Sequence, residues 1–211
     1  MDNKFSKIPK NLQGYLYHGR EEIYLEYKGD VSWDDRKIKL QIVQTILALS
    51  NNKDGGVIVI GVKDNGELIG LSENNFHAFS HDKLNQFLQG KTNQPLECIL
   101  SKYEEKDPRS SEIKNFVFIQ VAESREFPVV YMGPTEFIDR DAGNFLDNIG
   151  LRHGALYIRS KHNIGNKEIS TIEEWQELIE RTYRKYEKET LRRYNIIDKT
   201  DINPFDKELT I

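Results

Sequence analysis

The run Glu21-Glu22-Ile23-Tyr24-Leu25-Glu26-Tyr27-Lys28 puts three glutamates and a lysine on a segment whose β-branched and aromatic content reads as a strand. Side chains alternate along a strand, so Glu22, Tyr24, Glu26 and Lys28 share one face. Ile23, Leu25 and Tyr27 form the other, which packs inward. A further carboxylate, Asp64, follows the apolar run Val57 to Val62. If the two strands are neighbours, Glu26 and Asp64 meet. Clustered carboxylates raise one another's pKa and are tolerated chiefly around a hard cation such as Mg2+ or Mn2+. With a lysine beside them, this is the chemistry of metal-dependent phosphodiester cleavage: the metal polarises the phosphoryl oxygen and activates water, and Lys28 steadies developing negative charge. Each residue also has a plainer role. Glu26 and Lys28 on an exposed face make a solvated ion pair worth ~0.5 kcal/mol, and Asp64 before Asn65-Gly66 is good turn chemistry.

Those residues need a frame. Between Asp34 and Asn52, Ile38, Ile42, Val43, Ile46, Leu47 and Leu49 recur at helical spacing, with Asp34 or Asp35 at the start. Gly55-Gly56 stops that helix. The run Val57 to Val62 is a buried strand, Asn65-Gly66 a hairpin turn, and residues 68–71 a returning strand. A short helix is expected over 81–89, strands over 96–105, 114–124 and 127–132, and a long loop over 133–154. Residues 155–160 supply a strand that closes the sheet. A helix over 171–193 is opened by Ser170 or Thr171 with Glu173 or Glu174 in its first turn. The expected fold is α+β, a mixed, mostly antiparallel sheet flanked by helices. Residues 1–20 read as a basic arm, 21–193 as the domain and 194–211 as a tail or linker.

At 211 residues and 24.7 kDa, one domain is expected. A single cysteine, Cys98, excludes an intrachain disulfide and zinc sites with two or four cysteines, and its place in a strand makes it a packing residue. No apolar run approaches the ~20 residues that span a bilayer, and the first residues lack a signal segment, so a cytoplasmic protein without a membrane partner is expected. The net charge of −4 argues against a uniformly basic nucleic-acid binder, yet the charge is uneven. Residues 151–167 hold Arg152, Arg159, Lys161 and Lys167 and no acid, and Arg192 lies in a second basic stretch. These residues are either solubilising surface or contacts to a phosphate backbone, each contact then adding ~0.7 to 0.9 to the salt slope. The chain has no phosphate-binding glycine loop of the Gly-x4-Gly-Lys-Ser/Thr kind, and His77 and His81 lack the glutamate of a zinc hydrolase.

Glu-x4-Glu-Tyr-Lys at Glu21, Glu26, Tyr27 and Lys28, the block ALSNNKDGGVIVIGVKDNGELIGL from Ala48 to Leu71, then LYIR and a closing IEEWQELIER helix resemble the Schlafen AlbA_2 domain over residues 15–185. The resemblance implies a divalent-metal-dependent endonuclease, with Mg2+ or Mn2+ held by Glu21, Glu26 and Asp64 and with Lys28 assisting. It favours structured RNA such as tRNA over DNA and raises a role as an effector of antiphage defence. Simple alternation pairs Glu22 with Glu26, so using Glu21 requires the chain to bend before Ile23. The larger Schlafen core has two related lobes and a zinc site with cysteine ligands. This chain supplies one lobe and one cysteine, so zinc is not expected. A homodimer would replace the missing lobe, and a further domain or partner subunit would follow the C-terminus. The glycine usual after Tyr-x-Arg is absent, Ser160-Lys161-His162-Asn163 standing there instead. The alternative reading is a non-catalytic nucleic-acid-binding module of a larger regulator. Under the nuclease reading, Asp64→Ala or Glu26→Ala abolishes cleavage and leaves the melting temperature almost unchanged.

Overall fold

In a computed structural model, residues 6–125, 128–138, 149–160 and 164–193 are described. The first of them already belong to the sheet. β1 (Ser6–Lys7) leads into α1 (Lys10–Leu16), and Ile8, Leu12 and Leu16, four residues apart, are all buried. This corrects the expectation of a separate basic arm. Only two of these positions, Leu12 and Leu16, lie on the seven-residue helix and Ile8 precedes it, too few for periodicity to stand out among lysines and polar residues.

β2 (Leu25–Lys28), α2 (Arg36–Ser50) and β3 (Gly56–Ile60) form a parallel crossover in which Glu26 lies opposite Ile58 and Lys28 opposite Ile60. Asp35 caps α2, its Oδ1 accepting from the N–H groups of Lys37 and Ile38 at 2.8 and 3.3 Å. Then come α3 (Glu73–Ala78), α4 (His81–Leu88) and the long hairpin of β4 (Cys98–Lys106) and β5 (Ile113–Val121). The main sheet runs β1-β4-β5-β3-β2, antiparallel at its centre and parallel at both outer pairs. The fold is α+β, with one core between the sheet and α2, including Ile42, Ile46, Ile58 and Ile119, and a second on the α1 face, including Leu16, Leu25, Tyr27 and Phe118. Cys98 is buried, and desolvation pushes its thiol up to about 11, as suits a packing residue.

Beyond the hairpin the strands are short. β6 (Glu136–Ile138) pairs with β7 (Ile149–Leu151), and β8 (Tyr157–Arg159) with β9 (Asn166–Glu168), as two separate two-stranded sheets. The expected closing strand is therefore β8, but it packs on α2 and does not join the main sheet. Residues 68–71 likewise make only the single bridges Val62 to Leu68 and Leu71 to Asn115. β3 already has β2 on one side and β5 on the other, so a chain returning from the turn finds no free edge. Residues 128–132 make one bridge, Thr92 to Tyr131, and no strand. The chain divides after Ile169, and α5 (Ile172–Arg193) belongs to a second unit. Its capping box is the expected one: Ser170 and Thr171 N–H donate to Glu174 Oε2 at 3.1 and 3.2 Å, and Glu174 N–H donates to Thr171 Oγ1 at 3.3 Å. The long loop expected over 133–154 is interrupted by β6 and β7, and residues 139–148 and the tail from residue 194 lie outside the described residues.

Because Leu16 is fully buried against β2 and β3 residues, Leu16→Ala should lower unfolding free energy by about 2–5 kcal/mol in urea titrations. An unchanged midpoint would mean that the first helix is not part of the core.

Candidate functional site

Two adjacent amides at the end of α2 set the site. Asn51 is buried and clamps two segments at once: its Nδ2 donates to the carbonyls of Val129 and Tyr157 at 2.8 and 3.0 Å, and its Oδ1 accepts from Val129 N–H at 2.7 Å. This fixes β8. Asn52 reaches the other way, donating from Nδ2 to the Ile23 carbonyl at 3.2 Å. There the chain turns at Ile23 and Tyr24, closed by reciprocal bonds of 3.0 Å between Glu22 and Leu25 backbone groups. Gly56 permits the approach that follows: Val57 N–H reaches the Tyr24 carbonyl at 2.8 Å, and a Cβ on Gly56 would stand 2.5 Å from that oxygen. The turn folds Glu21 back over β2, where its Oε1 accepts from Tyr27 N–H at 2.9 Å.

Glu26 emerges on the β2 face opposite Leu25 and Tyr27 and is only 7% exposed. Its Oε1 accepts from Lys28 Nζ at 2.5 Å and its Oε2 from Arg159 Nη1 at 2.7 Å. The Arg159 side chain, on β8, is 0% exposed. Besides Glu26 it donates to Asn166 Oδ1 at 2.9 Å and to the Glu22 carbonyl at 3.1 Å, while its Nε is buried with no hydrogen-bond partner among the described residues. Asn166 donates onward to Thr45 Oγ1 on α2 at 2.7 Å. Burial by itself would push the Glu26 carboxyl up; the charges of Lys28 and Arg159 and the hydrogen bonds they donate overcome it and hold the group below the usual carboxylate range.

Asp64 is exposed on the tight turn after β3, where Gly66 N–H donates to the Lys63 carbonyl at 2.8 Å. A Cβ on Gly66 would meet the Gly19 backbone at 2.5 Å, so the turn lies against the chain two residues before Glu21. Glu21 registers both neighbours. Burial first, then the charge of Glu26, raise its pKa; the Tyr27 N–H and Lys28 oppose the shift, and Asp64 adds to it.

Glu21, Glu26, Lys28 and Asp64 are thus brought to one end of the β2-β3 pair. A family model described as "Schlafen, AlbA_2" matches residues 21–164, well over half of the 211 residues. The chain belongs to the Schlafen AlbA_2 family. That membership makes it a domain with a nucleic-acid-related role. No curated protein sequence matches it. Among solved structures it is similar to the DIP2311 protein from Corynebacterium diphtheriae, at 13% identity and a TM-score of 0.44, the match covering 78% of this chain and 27% of that one. Among the described residues, no helix is long and apolar enough to cross a membrane.

The donor set of this AlbA_2 domain is hard oxygen, which Mg2+ and Mn2+ favour. Its arrangement does not fit a three-carboxylate metal site: both Glu26 oxygens are engaged by cations, and among the described residues no group of three or more His, Cys, Asp or Glu side chains is placed to hold a metal. Forming one requires Glu21 and the Asp64 turn to close on Glu26.

The expected basic strip is not a row of exposed cations. Arg159 faces inward and organises Glu26, so it is corrected from a phosphate contact to a positioning group. Arg152 is exposed but grips both Glu168 oxygens, and Lys167 sits half-buried on β9. Lys161 and the side chain of Arg192 lie outside the described residues. His77 and His81 stand on different helices, His81 accepting from Leu100 N–H at 3.3 Å. Sequence reading passed over Asn51, Asn52, Thr45 and Asn166. The available signal was the pair of amides set between an apolar helix and Gly55-Gly56, where ordinary turn chemistry needs only one.

Glu26 is ionised with a depressed pKa, so its pairing contributes stability above the ordinary carboxylate value of 4.5 and loses it as pH falls through the lower folded value. Arg159→Ala should cost about 3–5 kcal/mol at neutral pH by leaving a buried carboxylate short of a partner. That deficit should shrink in acid, where Glu26 takes up a proton, as urea titrations at neutral and acidic pH would register. Glu21 has the opposite sign: its ionisation costs stability as pH rises. Glu21→Gln keeps the acceptor for Tyr27 and should raise the neutral-pH melting temperature by about 1–3 °C, with no gain in acid; a drop at neutral pH would contradict the assignment.

Proposed function

We propose that this chain is a cytoplasmic nuclease domain that cleaves phosphodiester bonds, RNA in preference to DNA, at the surface formed by Glu21, Glu26, Lys28 and Asp64. What carries the reading is the convergence of those four motif residues at one end of β2 and β3 in an AlbA_2 domain. Lys28, half-buried and hydrogen-bonded to Glu26, is placed to meet a phosphoryl oxygen and balance charge that develops there. Glu21 holds its proton to higher pH than an ordinary glutamate, which suits a group that takes a proton from an attacking hydroxyl or returns one to the leaving oxygen. Arg159 touches no substrate in this scheme; it fixes the Glu26 carboxylate. Dependence on Mg2+ or Mn2+ is the family expectation and enters as a variable of the test, since the carboxylates as arranged do not form a site for either ion.

A second reading is favoured by one observation. Glu26 is saturated by two cations, as a structural carboxylate would be, and a domain of that kind could bind nucleic acid without cutting it.

The deciding experiment incubates the chain with total tRNA and with single- and double-stranded DNA in Mn2+, Mg2+ or EDTA, beside Asp64→Ala. Asp64 is exposed and its side chain supports no described packing, so that variant should melt within a few degrees of the wild type while cleavage disappears. Glu26→Ala serves less well: it strands Arg159 in the interior, so the expectation that it folds with an unchanged melting temperature is withdrawn. RNA fragments made by the wild type and missing from Asp64→Ala support the nuclease. Intact RNA and DNA in every metal condition, with binding retained in EDTA, support the binding module.

A further inference from the structure

α5 carries an apolar stripe that the capping and charge of the helix do not explain. Ile172, Trp175, Ile179, Tyr183 and Tyr186 are 72, 44, 60, 67 and 60% exposed. Their spacing of three, four, four and three residues keeps them on one narrow face of the helix. Contiguous apolar surface of this kind marks an interaction site when it is larger than scattered single residues.

We propose that this stripe is a self-association surface on which two copies of the chain pair through α5 in antiparallel sense, centred on Ile179. Two observations select that occupant. The spacing reads the same in both directions, so an antiparallel pair brings Ile172 level with the partner's Tyr186, Trp175 level with the partner's Tyr183, and Ile179 onto its own copy. The charge is also divided about the same centre. From Ile172 to Glu180 the helix holds Glu173, Glu174, Glu177 and Glu180 and no base, whereas Arg181 to Arg193 holds six bases and two acids. A parallel pair would set acid half beside acid half. The antiparallel pair sets each acid half beside a basic half and opposes the two helix dipoles, so steering and register both favour it. A contact made by one helix from each copy sits at the low end of specific interfaces, below about 1,200 Å2, so the association is weak and concentration-dependent. It does not depend on whether the chain is a nuclease.

The test uses the full chain with single substitutions at exposed positions, Ile172→Cys and Tyr186→Cys. Cys98 is buried and stays silent to oxidation, which unmodified protein checks. In an antiparallel pair the two copies of residue 172 lie about 21 Å apart along the helix and cannot bridge. Each variant alone should therefore form no covalent dimer under mild oxidation, and the mixture should give one. Sedimentation equilibrium should show mass rising above 24.7 kDa with concentration, and Ile179→Glu should weaken association at least tenfold. Covalent dimers of either variant alone would overturn the antiparallel arrangement. A mass of one chain at the highest soluble concentration, or association indifferent to Ile179→Glu, would overturn pairing through this stripe and leave it to another partner or segment.

Discussion

A buried carboxylate is the constraint around which this domain is arranged. An ionised glutamate in the interior costs several kcal/mol unless cations and hydrogen bonds replace its water. Glu26 meets that requirement by drawing Lys28 from its own strand and Arg159 from a strand 133 residues away in sequence. The requirement then spreads outward. Arg159 must itself be satisfied, which brings in Asn166 and the Glu22 carbonyl, and Asn166 is in turn held by Thr45 of the central helix. Such a chain specifies position more than it stabilises, because an apolar core of the same shape would be as stable. The positions it specifies are those of β8 and β9 relative to the helix between β2 and β3.

The adjacent asparagines at the end of that helix make the same connection with neutral groups. Asn51 bonds the backbone leading into Arg159, and Asn52 bonds the backbone leading into Glu26, so a single helix terminus places both partners of the ion pair. A side-chain amide can serve both segments because it donates and accepts at once; an aspartate could accept from Val129 but could not donate to Tyr157. The glycine after the helix lets β3 begin close to the Tyr24 carbonyl, which completes the turn that returns Glu21 to β2.

How much of this was legible in the sequence follows from the range of each signal. α2 was clear because six apolar residues repeat over four turns with an aspartate cap, and β3 because an unbroken apolar run ends in turn residues. The Glu26 and Lys28 pairing was also readable, since two residues apart on a strand means one face. α1 was not, because a seven-residue helix offers only two stripe positions, Leu12 and Leu16, with Ile8 just before it. Arg159 was read as a surface cation because it falls in a stretch, residues 151–167, that holds four bases and no acid. Its burial is decided by Glu26, and no local pattern carries a partner at that separation. The turn that favours Glu21 over Glu22 was required by the motif and contradicted by alternation, and the backbone resolves it at Ile23 and Tyr24.

The distribution of rigidity across the site has a chemical consequence. Glu26 is held on both oxygens and Arg159 is enclosed, so the centre has no freedom to adjust to a substrate without breaking charged contacts. Glu21 is only half-buried and is held by one backbone donor, and Asp64 stands exposed on a turn that rests against Gly19 through a glycine. Any change of shape that gathers the carboxylates must therefore come from the flanks moving toward Glu26. Crowding them raises the electrostatic cost already visible at Glu21, so the gathering needs positive charge to accompany it. Lys28, whose charge already acts on Glu21, is committed to Glu26; a phosphate that draws the ammonium away would leave the carboxylates short of a cation just as they close. Under the proposed function, engagement of an anionic substrate would thus be coupled to a demand for compensating charge.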